Sequence, residues 1–280
     1  MKRLIKIFLV LAVILTGWNA VYGQTSRKER KEANQKAIKN MVDGPHFFFS
    51  AEYALPQRGG TKQSLEFKLA HAHARDAVYS VLDVDGLTAS LKIFNLPVLH
   101  LHSEAAGRHK YLKRPDLGRQ LNSGSVVQLK EYKSDYDIAI IIADGLSAEA
   151  VNENAFGLLK ILIPMLSSVK LKIAPICLIE QGRVAIGDDV GSGLNAKFSL
   201  VLIGERPGLS SADSMGAYLT YNPQPGLTDE SRNCISNIRP QGLIHKPAAD
   251  KIFYLMIEAF KRKLSGVALK DDFIDRSLDH

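Results

Sequence analysis

The alternation of continuous apolar runs with helix-length segments constrains the fold of this chain most strongly. Apolar side chains dominate residues Asp137–Ala143, Leu171–Leu178 and Phe198–Ile203, which is typical of strands buried on both faces of a sheet. A helix is predicted over Ala148–Leu166, between the first two runs, and another over Ala248–Leu264. Strands that alternate with helices pair in parallel through right-handed crossovers. The pattern therefore predicts an α/β fold with a mostly parallel sheet.

The composition is that of a folded protein. The chain has 280 residues, of which 46% are hydrophobic and 23% charged, enough for one large domain or two small ones. The two cysteines, Cys177 and Cys234, are too few for a disulfide scaffold or a four-cysteine zinc site. Their number favours a reducing compartment.

The net charge of +7 belongs to the start of the chain. Residues 1–63 contain 11 Lys/Arg and 4 Asp/Glu, whereas residues 64–280 contain 25 of each kind. A basic surface attracts nucleic acid, but the larger part of this chain has no surplus of positive charge. We therefore predict no nucleic-acid partner.

Residues 1–23 have the pattern of a secretory signal, in which a basic start precedes an apolar run over Phe8–Leu15. The run is too short for a stable membrane span, and an uncleaved interfacial helix is the alternative. Residues 24–60 form a basic appendage. Its charged segment Arg27–Asn40 is interpreted as a solvated helix rather than a nucleic-acid site, because no aromatic residues are interleaved. This opening resembles that of small exported bacterial domains of unknown function.

Two pairs of histidines are candidate metal ligands. Apolar residues at i, i+4 and i+7 from Leu65 predict a helix over Ser64–Tyr79, on which His71 and His73 face different sides. The strand predicted over Leu96–His102 carries two histidines on one face, but no third ligand is near them in the sequence. The sequence therefore predicts no metal site.

In an open parallel sheet, ligands bind beyond the carboxyl ends of the strands. The loops to consider are those that follow the three apolar strands, namely residues 144–147, 181–189 and 204–211. All three contain glycine, which allows a ligand to approach the backbone closely. We expect these loops to form one cleft.

Familiar catalytic motifs are missing from the sequence. It has no G-x-G-x-x-G after a strand, no P-loop and no G-x-S-x-G elbow. Ser147 follows a strand and is interpreted as a helix N-cap rather than a nucleophile. Cys234 with His245 as its base is a second candidate nucleophile, but a thiol that packs or contacts a ligand is the favoured interpretation.

Glu205 is the most informative single residue. A carboxylate at the end of an apolar strand is costly to bury unless it has a partner. Either Arg206 or Arg183 could pair with it. Alternatively, it accepts hydrogen bonds from the N–H groups of a ligand, between glycines that leave room for a bulky molecule.

The segments around these loops, together with others in residues 62–271, resemble the small (light) subunit of ethanolamine ammonia-lyase. GERPG followed by RNCISNI is the most specific combination. The matching runs are LEFKLAHAHARDAV (65–78), YLKRPDLGRQL (111–121), IADGLSAEAV (142–151), QGRVAIGDDVG (181–191), GERPGLSSADSMGAYLTY (204–221), RNCISNIRPQGL (232–243) and LSGVALKD (264–271).

This resemblance implies a Rossmann-like, doubly wound fold with a helical N-terminal portion. It also implies a non-catalytic subunit of an adenosylcobalamin-dependent lyase that converts ethanolamine to acetaldehyde and ammonia, in which the cofactor performs the difficult chemistry. The expected partner is the large subunit, with six copies of each chain. The positions that correspond to the family's cobalamin contacts are Val184, Glu205 and Cys234. No catalytic residue is expected in this chain.

The resemblance also implies how the chain is divided. A helical part over 61–135 precedes a cobalamin-contacting domain over 136–271 and a tail over 272–280. The family is expected in the bacterial cytoplasm or a microcompartment, which conflicts with the signal-like start. A fused reading frame, a mis-called start or an exported relative without lyase activity would each explain the conflict. The last of these, an exported cobalamin-binding or interaction module, is the alternative function.

Overall fold

The structure, a computed structural model, describes residues 61–272. The predicted signal segment at residues 1–23, the appendage at 24–60 and nearly all of the predicted tail lie outside the described residues. Among the described residues, none of the helices has both the length and the apolar character that crossing a bilayer requires.

Six strands form one sheet in the order β1-β3-β2-β4-β5-β6. The strands β1 to β4 are parallel, and β5 and β6 run antiparallel to their neighbours. Their bounds are β1 Val98–His102, β2 Tyr136–Ala143, β3 Ile176–Glu180, β4 Ala196–Gly204, β5 Met215–Tyr221 and β6 Asn233–Ile238.

The α/β class is confirmed, but the sheet is mixed, so the expected Rossmann-like, doubly wound parallel sheet is not confirmed in that form. The reason lies in the connections. A parallel pair needs a crossover of a dozen or more residues, usually a helix. Residues 205–214 join β4 to β5 without a helix, so β5 returns antiparallel beside β4.

Seven α-helices accompany the sheet within the described residues. They are α1 Thr61–Tyr79, α2 Val84–Leu91, α3 Arg108–Lys113, α4 Ser123–Lys130, α5 Ala148–Ser168, α6 Ile186–Leu194 and α7 His245–Arg262. The helices α2, α5 and α7 share one apolar cluster with the sheet, and α4 and α6 share another. Alternate residues of β2 divide between the two clusters, as the two-residue period of a strand requires.

Some predicted boundaries need correction. The strand predicted from Leu171 begins only at Ile176, directly after Pro175. Proline has no backbone N–H and cannot donate a hydrogen bond to a neighbouring strand. The last helix ends earlier than predicted, where Lys263 adopts a left-handed conformation and its N–H bonds to Ala259.

Helix α1 is confirmed, but the predicted apolar stripe is not its buried face. Leu65 and Leu69 are 61% and 58% exposed, and the buried side chains are Ala74, Ala77 and Val78 near the helix end. The contacts of α1 within the described residues therefore concentrate at its carboxyl-terminal end.

Candidate functional site

The loops that follow β2, β3 and β4 surround one cavity of about 390 Å³, as the sequence predicts. Residues from all three loops line it, and α3, β5 and β6 complete the wall with Tyr111, Tyr218 and Ser236. Because β2, β3 and β4 are parallel, their carboxyl ends meet at the same edge of the sheet.

Hydrogen bonds fix the three loops to one another. The Asp144 carboxylate in the first loop accepts the N–H groups of Gln181 at 2.9 Å and Gly182 at 3.0 Å in the second. The N–H of Leu146 donates at 2.9 Å to the carbonyl of Gly204, the last residue of β4, where the third loop begins. These hydrogen bonds therefore connect all three loops of the cavity wall directly.

Asp144 is buried, and desolvation raises its pKa to about 6 although Gln181, Gly182 and the Arg108 guanidinium favour the charged form. The Arg108 Nη1 is 3.8 Å from the Asp144 carboxylate, and burial lowers the pKa of Arg108. Asp144 does not line the cavity, so we assign it a structural role.

Ser147, the last residue of the first loop, has a structural role. Its hydroxyl accepts the N–H of Ala150 at 3.3 Å, which makes it the N-cap of α5, and donates to the carbonyl of Ala212 at 2.8 Å. The N-cap prediction is confirmed, and the buried hydroxyl has no geometry for nucleophilic attack.

Glu205 is held by donors from β6 and from the loop before β5. The hydroxyls of Ser214 and Ser236 each donate at 2.5 Å, and the N–H of Asn237 donates at 3.1 Å. Within residues 61–272 no arginine lies within ion-pair distance of Glu205, so the interpretation as an ion pair with Arg206 or Arg183 is wrong for this part of the chain. A carboxylate can accept about four hydrogen bonds, so room remains for a further donor.

Val184 and Cys234 lie near Glu205 in different ways. Val184 is half-buried and lines the cavity. Cys234 does not line it but pairs across β5 and β6 with Tyr218, which does. Burial raises the pKa of the Cys234 thiol, although a hydrogen bond with Tyr218 opposes this, and burial likewise raises the pKa of Tyr218. The cavity wall thus includes Val184 and Glu205, whereas Cys234 pairs with the lining residue Tyr218.

The other candidate residues have structural partners. His245 bonds to Asn154 at 3.1 Å, and burial lowers its pKa, so it does not activate Cys234. His100 contacts the carboxylate of Glu180 at 2.7 Å. No cluster of three or more side chains among the described residues could hold a metal ion.

The sequence also contains a short G-x-G pattern, Gly191-Ser192-Gly193, and its glycines have a packing role. Gly191 and Gly193 lie inside α6, where added Cβ atoms would meet Pro223 at 2.4 Å and Leu129 at 2.5 Å.

A second cavity of about 420 Å³ lies beside α6 and is lined by Asp188 among others. Asp188 forms a buried ion pair with Arg232, and burial raises its pKa to about 6.

Sequence reasoning missed an aromatic and cationic cluster at the cavity. The guanidinium carbons of Arg183 and Arg108 lie 4.3 Å and 4.8 Å from the centre of the Tyr111 ring. The Tyr111 hydroxyl donates to the carbonyl of Gly182 at 3.0 Å. Tyr111 lies in the YLKRPDLGRQL segment, far from Arg183 in sequence, and no spacing rule connects the two.

Comparison with known proteins gives a consistent result. A family model described as ethanolamine ammonia-lyase light chain matches residues 51–270, beginning somewhat before the resemblance noted from residue 62. The small subunit of ethanolamine ammonia-lyase from Pseudomonas fluorescens (strain Pf-5) is 48% identical over 223 residues, 78% of this chain and 81% of that protein. The small subunit from Xanthomonas campestris pv. campestris (strain ATCC 33913) is 51% identical over 222 residues, 78% of this chain and 81% of that protein.

Proposed function

This chain belongs to the ethanolamine ammonia-lyase light-chain family, and we propose that it is the small subunit of an enzyme that converts ethanolamine to acetaldehyde and ammonia. In this role it pairs with a large subunit and helps to enclose adenosylcobalamin at their interface. We place the assembly, with six copies of each chain, in the bacterial cytoplasm or a microcompartment.

The observation that carries the proposal is the cavity formed by the three loops, with Glu205 in its wall. The rim of a corrin ring bears neutral carboxamides, whose N–H groups need acceptors. Glu205 keeps acceptor capacity after binding Ser214, Ser236 and Asn237, and the chain holds it in position beside the cavity. Val184 offers an apolar surface next to it, and Cys234 supports Tyr218 from the neighbouring strand. The residues present therefore fit the edge of a corrinoid.

The size of the cavity supports a site shared with a second chain. Pockets of about 300–1,000 Å³ enclose drug-sized ligands, and a cobalamin is much larger than these. A cavity of about 390 Å³ can receive only one edge of it. A partner must cover the remainder and exclude water, which agrees with the role proposed for the large subunit.

Bound adenosylcobalamin would supply a carbon-centred radical that removes hydrogen from the substrate. The residues of this chain bind and orient the cofactor. Glu205 is the one carboxylate among the described cavity-lining residues, and the hydroxyls that bind it hold it in place. We therefore assign the groups that contact ethanolamine to the large subunit and no catalytic residue to this one.

The signal-like residues 1–23 favour the alternative function, an exported cobalamin-binding or interaction module without lyase activity. Co-expression with the large subunit from the same source distinguishes the two. We expect the chains to copurify and to release acetaldehyde from ethanolamine when adenosylcobalamin is added. A chain found outside the cell that never copurifies would support the alternative, and a large subunit fully active alone would contradict the proposed role.

A further inference from the structure

Arg183 has an unusual environment at the wall of the cavity. Its Nε is buried without a hydrogen-bond partner. None of the ion pairs among residues 61–272 includes it. The side chain as a whole is half-buried and lines the cavity, so a ligand there can supply an acceptor to a guanidinium that has no ion-pair partner of its own.

The protein holds this side chain in place. The Arg183 guanidinium stacks on the Tyr111 ring, and its backbone N–H donates to the carbonyl of Gly118 at 2.7 Å. A Cβ on Gly118 would lie 2.8 Å from the Arg183 Cγ and 2.9 Å from the Tyr111 ring, so only glycine allows this packing. The guanidinium is thus positioned before any ligand arrives, which reduces the entropy lost on binding.

No neighbouring carboxylate among the described residues neutralises the positive charge of Arg183. The Nη2 of Arg108 is also buried without a hydrogen-bond partner, but Arg108 has the Asp144 carboxylate at 3.8 Å and the carbonyls of Val78 and Gly145 at 2.6 Å and 2.7 Å. Glu205 is bound by hydroxyls and a backbone N–H rather than by an arginine. The charged residues that line the cavity are Arg183, Arg206 and Glu205, a surplus of one positive charge. A planar, stacked guanidinium in such a site is suited to a phosphate group.

We propose that Arg183 binds the phosphodiester in the nucleotide loop of cobalamin. This inference rests on the proposed function, because it names the part of that cofactor which this side chain recognises. The carboxamides of the corrin rim are neutral, and the phosphodiester is the anionic group of the molecule. Glu205 and Arg183 then bind different groups of the cofactor. The carboxylate accepts hydrogen bonds from the amides, and the guanidinium donates hydrogen bonds to the phosphate.

The test compares cobalamin with cobinamide, which lacks the nucleotide loop and its phosphodiester. Both are titrated into the copurified complex of the two subunits, and dissociation constants are read from the absorbance of the corrin ring. We expect Arg183→Gln to weaken cobalamin binding roughly 10- to 100-fold, the worth of a hydrogen bond to a charged group, and to leave cobinamide binding unchanged. Inorganic phosphate should weaken cobalamin binding to the wild type but not cobinamide binding.

Two further variants serve as controls. Arg183→Lys keeps the positive charge but loses the planar guanidinium that can donate two parallel hydrogen bonds. It should therefore bind cobalamin more tightly than Arg183→Gln but more weakly than the wild type. Arg206→Gln removes the exposed charge at the same cavity and should change cobalamin affinity by less than Arg183→Gln does. Equal losses for cobalamin and cobinamide in Arg183→Gln, or no loss for either, would overturn the inference while the proposed function stands. A wild-type complex that binds neither corrinoid would overturn both.

Discussion

At the scale of single residues, the surroundings of two carboxylates distinguish a structural role from a ligand-binding role. Asp144 is enclosed by the chain's own N–H groups and by Arg108. Glu205 has a similar set of internal donors but faces a cavity. The sequence shows both residues as carboxylates directly after apolar strands. Only their surroundings in the fold indicate which of them remains available to a ligand.

The pKa of Asp144 gives a pH-dependent prediction. Burial raises it to about 6 from an ordinary value of 3.8, so the folded state binds a proton more tightly than the unfolded state does. Its contribution to stability is therefore fully present below about pH 4 and is lost as the pH rises to about 6, a change of about 3 kcal/mol. Urea unfolding of the wild type and Asp144→Asn at several pH values measures this contribution to the unfolding free energy.

The expected signature is the difference in unfolding free energy between wild type and Asp144→Asn, which should shrink from pH 4 to pH 7. Subtracting the unfolding free energy of the variant from that of the wild type cancels the contributions of other titrating groups. One of these is Asp188, whose pKa burial also raises to about 6. A difference that grows with pH would mean that Arg108 and the loop N–H groups lower the pKa of Asp144 instead.

At the scale of elements, the sequence predicts β2, β3 and β4 because each contains a continuous apolar run, and a helix follows the first two. The strands β5 and β6 were not predicted. Their sequences mix polar and apolar residues, and their place in the sheet depends on Cys234 pairing with Tyr218 and Ile235 with Ala217. Such long-range pairing has no local signal, so the donors that β6 gives to Glu205 could not be anticipated either.

The turn after β2 gives a prediction about Gly145. Its φ is +58°, and a Cβ there would lie 2.2 Å from the carbonyl oxygen of Gly204. Gly107 also has a positive φ, +97°, but has open space around it. We expect Gly107→Ala to destabilise the fold by about 1–3 kcal/mol through backbone strain, because its φ of +97° and ψ of 164° lie in a region that is essentially restricted to glycine. Gly145→Ala should cost about 1–3 kcal/mol more, because it also separates the first loop from the third.

Urea unfolding of the two variants measures both costs, and Gly107→Ala serves as the matched control for backbone strain. Equal losses of stability would contradict the close contact between the loops. The same result would mean that the link between Leu146 and Gly204 contributes little to holding the loops together.

At the scale of the whole molecule, the resemblance to a known family gives more than the residue patterns do. Patterns alone predict an α/β fold and one cleft from three loops, and the structure confirms both. They do not identify a corrinoid, since the acceptor at Glu205 and the stacked Arg183 would suit other large ligands with amide and phosphate groups. The division of the chain at residues 135 and 136 remains a prediction, and β1, which precedes that point, pairs with β3 in the sheet.

The central claim is that this chain and a large subunit together hold cobalamin, with Glu205 as an acceptor for its carboxamides. The most direct measurement is a cobalamin titration of the copurified complex that carries Glu205→Gln, with Ser236→Ala as a matched variant that removes one internal donor and keeps the carboxylate. We predict that Glu205→Gln weakens binding by about 10-fold or more, as expected for loss of a charge-assisted hydrogen bond, with an unchanged ratio of subunits. Ser236→Ala should weaken it less. Unchanged affinity in Glu205→Gln would contradict the account.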